Sequence, residues 1–233
     1  MIQQGEVSIE KRTPPKYDGQ LRAFALRVPE AIYQASGILV FGRRIKSLVF
    51  STDLCIIRNV NADAIIAVYP FTPQPVITQA LLMAADIPVF AGVGGGLTQG
   101  PRVLNLAMNA ENQGAFGIVL NAPTRDESIR AVNERVDIPI VVTVAHGNTD
   151  YAARIAAGAD MFNVSAAAET PQIVRKIRAQ FPDFPIIATG GPTEESILRT
   201  IDAGANAITW TPPSNGEIFR DIMAAYREEK PHP

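Results

Sequence analysis

The chain has 233 residues, 47% of them hydrophobic and 19% charged, with a formal net charge of −2. Disorder is therefore excluded, and no basic excess exists of the kind that displaces counterions from nucleic acid. A single cysteine, Cys55, rules out an intramolecular disulfide, and with only two histidines no zinc-ligand cluster is expected.

The first 17 residues read as a polar arm without the apolar core of a signal peptide. No apolar run approaches the ~20 residues needed to cross a bilayer, so a cytoplasmic protein with no membrane partner is expected. Residues 18–45 read as a lead-in. A helix over 20–35 carries Pro29 as a break, and Gly37-Ile38-Leu39-Val40-Phe41 before Gly42-Arg43-Arg44 reads as a hairpin capping the bottom of a barrel. The basic tip is a solvated turn or, alternatively, an inter-subunit contact in a homo-oligomer.

Ser47 to Ser51 supplies a first barrel strand. Further strands are predicted near 64–69, 88–92, 116–120, 139–144, 160–164, 185–189 and 206–210. Two interleaved signatures generate them. Asp86-Ile87-Pro88, Asp137-Ile138-Pro139 and Asp183-Phe184-Pro185 open one series, with proline suiting the first residue of a strand. Gly114-Ala115, Gly158-Ala159 and Gly204-Ala205 open the other, with Asn61-Ala62-Asp63 as a diverged member. Like members recur every 44 to 51 residues, so each period holds two strand–helix units. These glycines read as residues just past a helix end, in the left-handed conformation.

The strands are near-continuous apolar runs, as parallel strands covered on both faces require. Helix starts are expected at Thr124-Arg125-Asp126-Glu127 (a capping box), Thr170-Pro171, Gly100-Pro101 and Thr193-Glu194-Glu195. Eight strands alternating with helices, without a composition break, predict one (β/α)8 barrel domain over 1–233. A doubly wound open sheet is the rival.

In a closed barrel, chemistry belongs at the C-terminal ends of the strands. His146 follows the fifth barrel strand there and is the natural general acid or base; a hydrogen-bonded loop histidine is the plain alternative. Asp53 follows the first strand as partner base, or simply caps the next helix. Asn163 and Asn121 could hold a developing oxyanion, and Tyr69 could stack on a ligand or fill the core.

Gly94-Gly95-Gly96 could cradle substrate with backbone amides or form an access loop. Their spacing to Gly100 also matches some dinucleotide sites, but the acid wanted about 20 residues on is replaced by Phe116. Lysines are few. Only Lys46 neighbours a barrel strand, at its entry, which argues against a Schiff base at the mouth.

Ala188-Thr189-Gly190-Gly191-Pro192-Thr193 is the sharpest segment. Its paired glycines admit a ligand close to the backbone, and the helix after Thr193 points amides at an anion. A tight turn without ligand is the alternative. The run ATGGPTEESILRTIDAGANAITWT resembles the phosphate-binding barrels of the aldolase type, which include ribulose-phosphate-binding and flavin-mononucleotide-linked enzymes and thiazole synthase. The hairpin from Gly42 to Ser51 is similar to the lead-in of the last two.

That resemblance implies a TIM barrel gripping a phosphorylated or anionic small molecule through Gly190, Gly191, Thr193, Thr211 and Ser214. Thr211-Pro212-Pro213 departs from the Gly-Ser or Gly-Arg of many relatives, removing two amide donors and the arginine that flavin mononucleotide would use. That cofactor is disfavoured, and none is expected. The whole chain also resembles an uncharacterised bacterial family labelled "hydrolase". A lyase, isomerase or hydrolase is the leading expectation; flavin-dependent redox chemistry and a non-catalytic binding protein are the alternatives.

Overall fold

A computed structural model describes residues 13–17, 19 and 25–231. The lead-in hairpin pairs β1 (Ile38–Val40) with β2 (Arg43–Ile45) antiparallel through a two-residue turn. Phe41 and Gly42 both take positive φ, 46° and 78°, the turn chirality that suits the twist of paired strands. The barrel follows: β3 (Ser47–Phe50), β4 (Ala64–Ala67), β5 (Val89–Gly94), β6 (Gly117–Leu120), β7 (Ile140–Val144), β8 (Met161–Val164), β9 (Ile186–Thr189) and β10 (Ala207–Trp210). All eight pair parallel, and β10 closes on β3. The open-sheet rival is thereby excluded.

Around them run α1 (Leu54–Arg58), α2 (Pro75–Ala84), α3 (Pro101–Asn112), α4 (Asp126–Asn133), α5 (Tyr151–Ala156), α6 (Thr170–Gln180), α7 (Glu194–Asp202) and α8 (Asn215–Arg227). Strand residues alternate between two cores. Ile65, Val89, Ile118, Val142 and Ala188 face the helices, while Leu48, Ile66, Phe90, Val119, Val141, Met161 and Ile187 fill the barrel. Ile38, Val40 and Ile45 join that interior cluster, so the hairpin plugs the N-terminal end. Phe41 meets the edge of Phe116 at 5.2 Å.

The repeat has a hydrogen-bonding reason. Pro88, Pro139 and Pro185 lie one residue before their strands, and their carbonyls accept from Ile65, Ile118 and Phe162 on the preceding strand. The residue after each Gly-Ala pair answers in kind. Asp160 donates its N–H to Ile140 O and accepts the Ile140 N–H on Oδ2; Asn206 does the same with Ile186. Asp63 accepts from Lys46 and Ser47. Gly114, Gly158 and Gly204 have φ of 91°, 110° and 109°, the left-handed exit expected of them.

Three local expectations need correction. Over the described part of 20–35 there is only a 3-10 turn, Glu30–Gln34, entered from Pro29; Leu26 instead bridges Val60, and residues 20–24 lie outside the described part. Thr124 does not cap α4. Arg125 holds that position without a side-chain bond, because Thr124 is fully buried against Gly95. Thr170 is the first residue of α6 rather than its cap, and its hydroxyl accepts from Ala166 N–H.

Candidate active site at the C-terminal mouth

The C-terminal strand ends carry most of the candidate site residues, with Asn163 inside β8 and Thr193 at the start of α7. Ser51, Thr52 and Asp53 follow β3, Tyr69 follows β4 and Gly94 ends β5. Asn121 follows β6, His146 β7, Gly190 and Gly191 β9, and Thr211 to Ser214 β10. They share one rim but not one cleft.

A cleft of about 560 Å³ brings together Ser51, Asp53, Tyr69, Asn121, Thr211 and Ser214. A narrower one of about 70 Å³ adjoins it through Tyr69 and Asn121 and includes Gly94, Gly96 and Thr98. Thr189, Gly190 and Gly191 line a third. Exposed His146 lines none of these three.

Tyr69 and Asn121 form the junction of the first two clefts. The Tyr69 hydroxyl accepts the Gln74 N–H at 2.8 Å, so its own proton is available to a ligand oxygen. The loop bearing Asn121 is clamped by Arg154, which bonds to Thr124 O and, at 2.9 Å, to Asp126 Oδ1. It is also packed beneath Gly95. A Cβ there would lie 2.0 Å from Thr124 Oγ1 and 2.8 Å from Asn121 N. Gly95 gives its N–H to Thr98 O, and Gln99 Nε2 donates to the carbonyls of Gly95 and Gly96. The triple glycine thus serves close loop packing, with Gly96 left open.

Asp53 spends Oδ1 on the N–H groups of Cys55 (2.8 Å) and Ile56 (3.2 Å), capping α1. Thr193 forms a reciprocal capping box with Ser196. Ser214 gives both its N–H and its hydroxyl to Glu217, at 2.8 and 2.7 Å, and this pairing holds the Glu217 carboxyl below its ordinary value. A carboxylate therefore already occupies the start of α8, and Glu194 and Glu195 stand in the first turn of α7.

Four residues build a polar arc inside the barrel on consecutive strands: Thr143 (β7), Asn163 (β8), Thr189 (β9) and Thr209 (β10). Asn163 lies in register between Thr143 and Ile187, and Thr209 between Thr189 and Leu48. Ile187 and Leu48 belong to the interior cluster, so the arc faces inward. Asn163 is 8% exposed and Thr209 5%, yet Asn163 Oδ1 and Thr209 Oγ1 have no hydrogen-bond partner among the described residues. Each such buried orphan costs roughly 1–3 kcal/mol. Asn163 and Thr189 stand out in the sequence at strand ends, whereas Thr143 and Thr209 do not; a polar residue two places after an inward apolar one, repeated on adjacent strands, is the signal that would find them.

Lys176, which does not neighbour a barrel strand in sequence, also reaches the mouth. From α6 it donates to Gly147 O beside His146 and lies 5.5 Å from the Tyr151 ring centre, because the helix carries its long side chain back toward the mouth.

No protein-family profile matches the chain. Two thiamine-phosphate synthases are partly similar, from Geobacillus thermodenitrificans (strain NG80-2) at 33% identity and Geobacillus kaustophilus (strain HTA426) at 28%. Each match spans 36% of this chain and 43% of the relative, so the chain matches less than half the length of these curated relatives.

Solved structures cover far more. Phosphonopyruvate hydrolase in complex with oxalate and Mg++ is 14% identical over 90% of this chain and 87% of that one, with a TM-score of 0.59. 2,3-Dimethylmalate lyase, a PEP mutase/isocitrate lyase superfamily member, is 14% identical over 89% and 84%, TM-score 0.59. Oxaloacetate acetylhydrolase with its product oxalate is 12% identical over 87% and 86%, TM-score 0.62. At these identities the likeness establishes the TIM-barrel fold.

One of those neighbours holds a magnesium ion. A hard divalent cation takes about six oxygen ligands, usually including carboxylates. Among the described residues no three His, Cys, Asp or Glu side chains gather, and Asp53, already capping α1, is the one carboxylate lining the mouth clefts. The described residues therefore offer no all-protein cage of three or more such ligands; a magnesium ion, which usually keeps waters and substrate oxygens beside one or two carboxylates, would have Asp53 as its protein ligand in these clefts.

Proposed function

We propose that this protein is a small-molecule enzyme of lyase, isomerase or hydrolase type, acting by acid–base chemistry on a phosphorylated or otherwise anionic metabolite at the barrel mouth. The observation that carries the reading is the polar arc. Asn163 Oδ1 and Thr209 Oγ1 are buried without partners among the described residues, in a position where folding alone would favour apolar groups. Such a cost persists where a ligand completes the hydrogen bonds.

In this reading Asn163 orients a substrate hydroxyl or carbonyl, Tyr69 and Asn121 donate to the oxygen that gains charge, and His146 moves a proton from the rim. Asp53 bounds the cleft as a cap. The solved neighbours, with their lyase and hydrolase names, are compatible support. A non-catalytic binding protein is the second reading, favoured by one observation: the side-chain polar groups lining the mouth clefts are hydroxyls and amides, with a single carboxylate, set among apolar residues.

The test is a turnover screen of phosphorylated and carboxylated metabolites. It compares the wild-type chain with Thr209→Val, Asn163→Leu, Tyr69→Phe and His146→Ala. An active substrate whose kcat falls at least tenfold in the arc and Tyr69 variants bears the proposal out. A ligand bound without turnover, and unaffected by these changes, defeats it.

A further inference from the structure

We infer an anion-binding subsite in the cleft between α6 and α7, built on two arginines that the sequence pattern does not single out. It rests on the reading that the ligand is anionic, and it locates that anion. The cleft holds about 550 Å³ and runs from the Gly190-Gly191 turn down between the helices. Arg175 lines one wall from α6 and Arg199 the other from α7, and no carboxylate lines the cleft.

The Arg199 guanidinium has no acceptor among the described residues; Arg175 makes one long, exposed contact of 3.4 Å with Asp202. Ion pairs of that kind contribute little, so both forks remain free to take the oxygens of a phosphate or carboxylate.

The rest of the cleft is shaped to admit an anion. Gly191 has φ of 81°, and a Cβ there would lie 2.6 Å from Ser196 Oγ; its exposed N–H finds no partner among the described residues. On the opposite lip Ala167 holds a left-handed φ of 50°, a conformation disfavoured for a residue with a Cβ. That bend places two small side chains, Ala167 and Ala168, where they leave the cleft open.

The other anion positions at this end of the barrel are already taken. Glu217 receives the Ser214 N–H at the start of α8, Pro212 and Pro213 offer no N–H, and Thr193 and Ser196 bond to each other. Glu195, one turn before Arg199, is exposed and makes no ion pair with it within 4 Å. The chemistry named is a phosphate dianion, either the tail of a phosphomonoester or free phosphate.

Calorimetric titration of the full chain at low salt, with inorganic phosphate and separately with glycerol 3-phosphate, tests this. Saturable binding to wild type is expected. Arg199→Gln should weaken it at least tenfold, and the Arg175→Gln/Arg199→Gln pair should abolish it. Asp202→Asn, which frees Arg175, should tighten it. Unchanged circular dichroism confirms folding, since both arginines are exposed. Stronger binding of the ester assigns the site to a substrate tail, and equal affinity assigns it to free phosphate.

No saturation by about 10 mM, or binding that survives in the double variant, overturns the inference. Asn163→Leu and Tyr69→Phe should leave phosphate binding intact even where turnover is lost. The subsite and the catalytic reading can therefore fail separately.

Discussion

Asp53 and His146 stand on opposite sides of the barrel rim: one follows β3 and the other β7, four strands apart in a closed ring of eight. They cannot form a hydrogen-bonded dyad, and any joint action would be on opposite ends of one substrate.

The two positions should therefore be energetically independent. Asp53→Ala is expected to cost about 1 kcal/mol through loss of the α1 cap, and His146→Ala less than about 0.5 kcal/mol. Urea unfolding of the double variant should equal the sum within about 0.5 kcal/mol. A larger coupling would contradict the opposed placement.

Removing the orphaned groups of the polar arc should separate stability from function. Thr209→Val keeps the shape and deletes a buried hydroxyl without a partner among the described residues, so the fold should be stabilised by roughly 1–3 kcal/mol in thermal unfolding. Ligand binding or turnover should nevertheless fall. A variant destabilised by about 2 kcal/mol or more would reveal an internal bonding partner for Thr209.

Gly95→Ala places a Cβ 2.0 Å from Thr124 Oγ1 at a φ of 106°. Overpacking of this kind costs roughly 1–3 kcal/mol, and here it also displaces the backbone of Asn121. Lower stability is expected together with weaker binding of any ligand that uses the Tyr69–Asn121 junction. Gly96→Ala, with nothing within 4 Å of the added carbon, is the control and should be near neutral.

The start of α8 should respond to acid. Glu217 is solvent-exposed, and its carboxyl is held below the ordinary value of 4.5 by the Ser214 amide and hydroxyl. Its contribution is therefore fully present above about pH 4.5 and lost as pH falls through the lowered value. Amide exchange in residues 215–219 should rise only below that range. Glu217→Gln should remove the pH dependence, and a wild-type profile that stays flat in acid would refute the assignment.

Arg178 ties the bottom of the barrel together by donating to the carbonyls of Gly204 and Phe184 and to Asn206 Oδ1. Burial lowers its pKa below the ordinary guanidinium value, and Asp183 opposes the shift; the side chain stays cationic at neutral pH. Arg178→Ala leaves several acceptors without a donor and should cost about 2–3 kcal/mol in chemical unfolding, without altering ligand affinity at the opposite mouth.

The barrel was legible because its repeat is local chemistry. Pro139 before β7, Gly158 after α5 and the apolar run of Ile140 to Val144 each specify backbone geometry through nearest neighbours. So does Thr193 before α7, where cap and first turn sit side by side. Thr124 misled the same kind of reasoning: its hydroxyl has the spacing of a cap, but Gly95, 29 positions earlier, packs on it and leaves Arg125 at the helix start. The helix expected over 20–35 shortened for a similar reason, since Leu26 pairs with Val60 across the fold.

Periodicity, turn residues and apolar runs thus determined by themselves that eight parallel strands alternate with helices, and which residues end them. Only the tertiary structure decided which of those ends share a cleft, that Thr143, Asn163, Thr189 and Thr209 converge inside the barrel, and that Arg175 and Arg199 flank one groove. Backbone propensities act over a few residues. Convergence of side chains depends on strand register and on closure of the ring, and those are settled by packing between segments far apart in the chain.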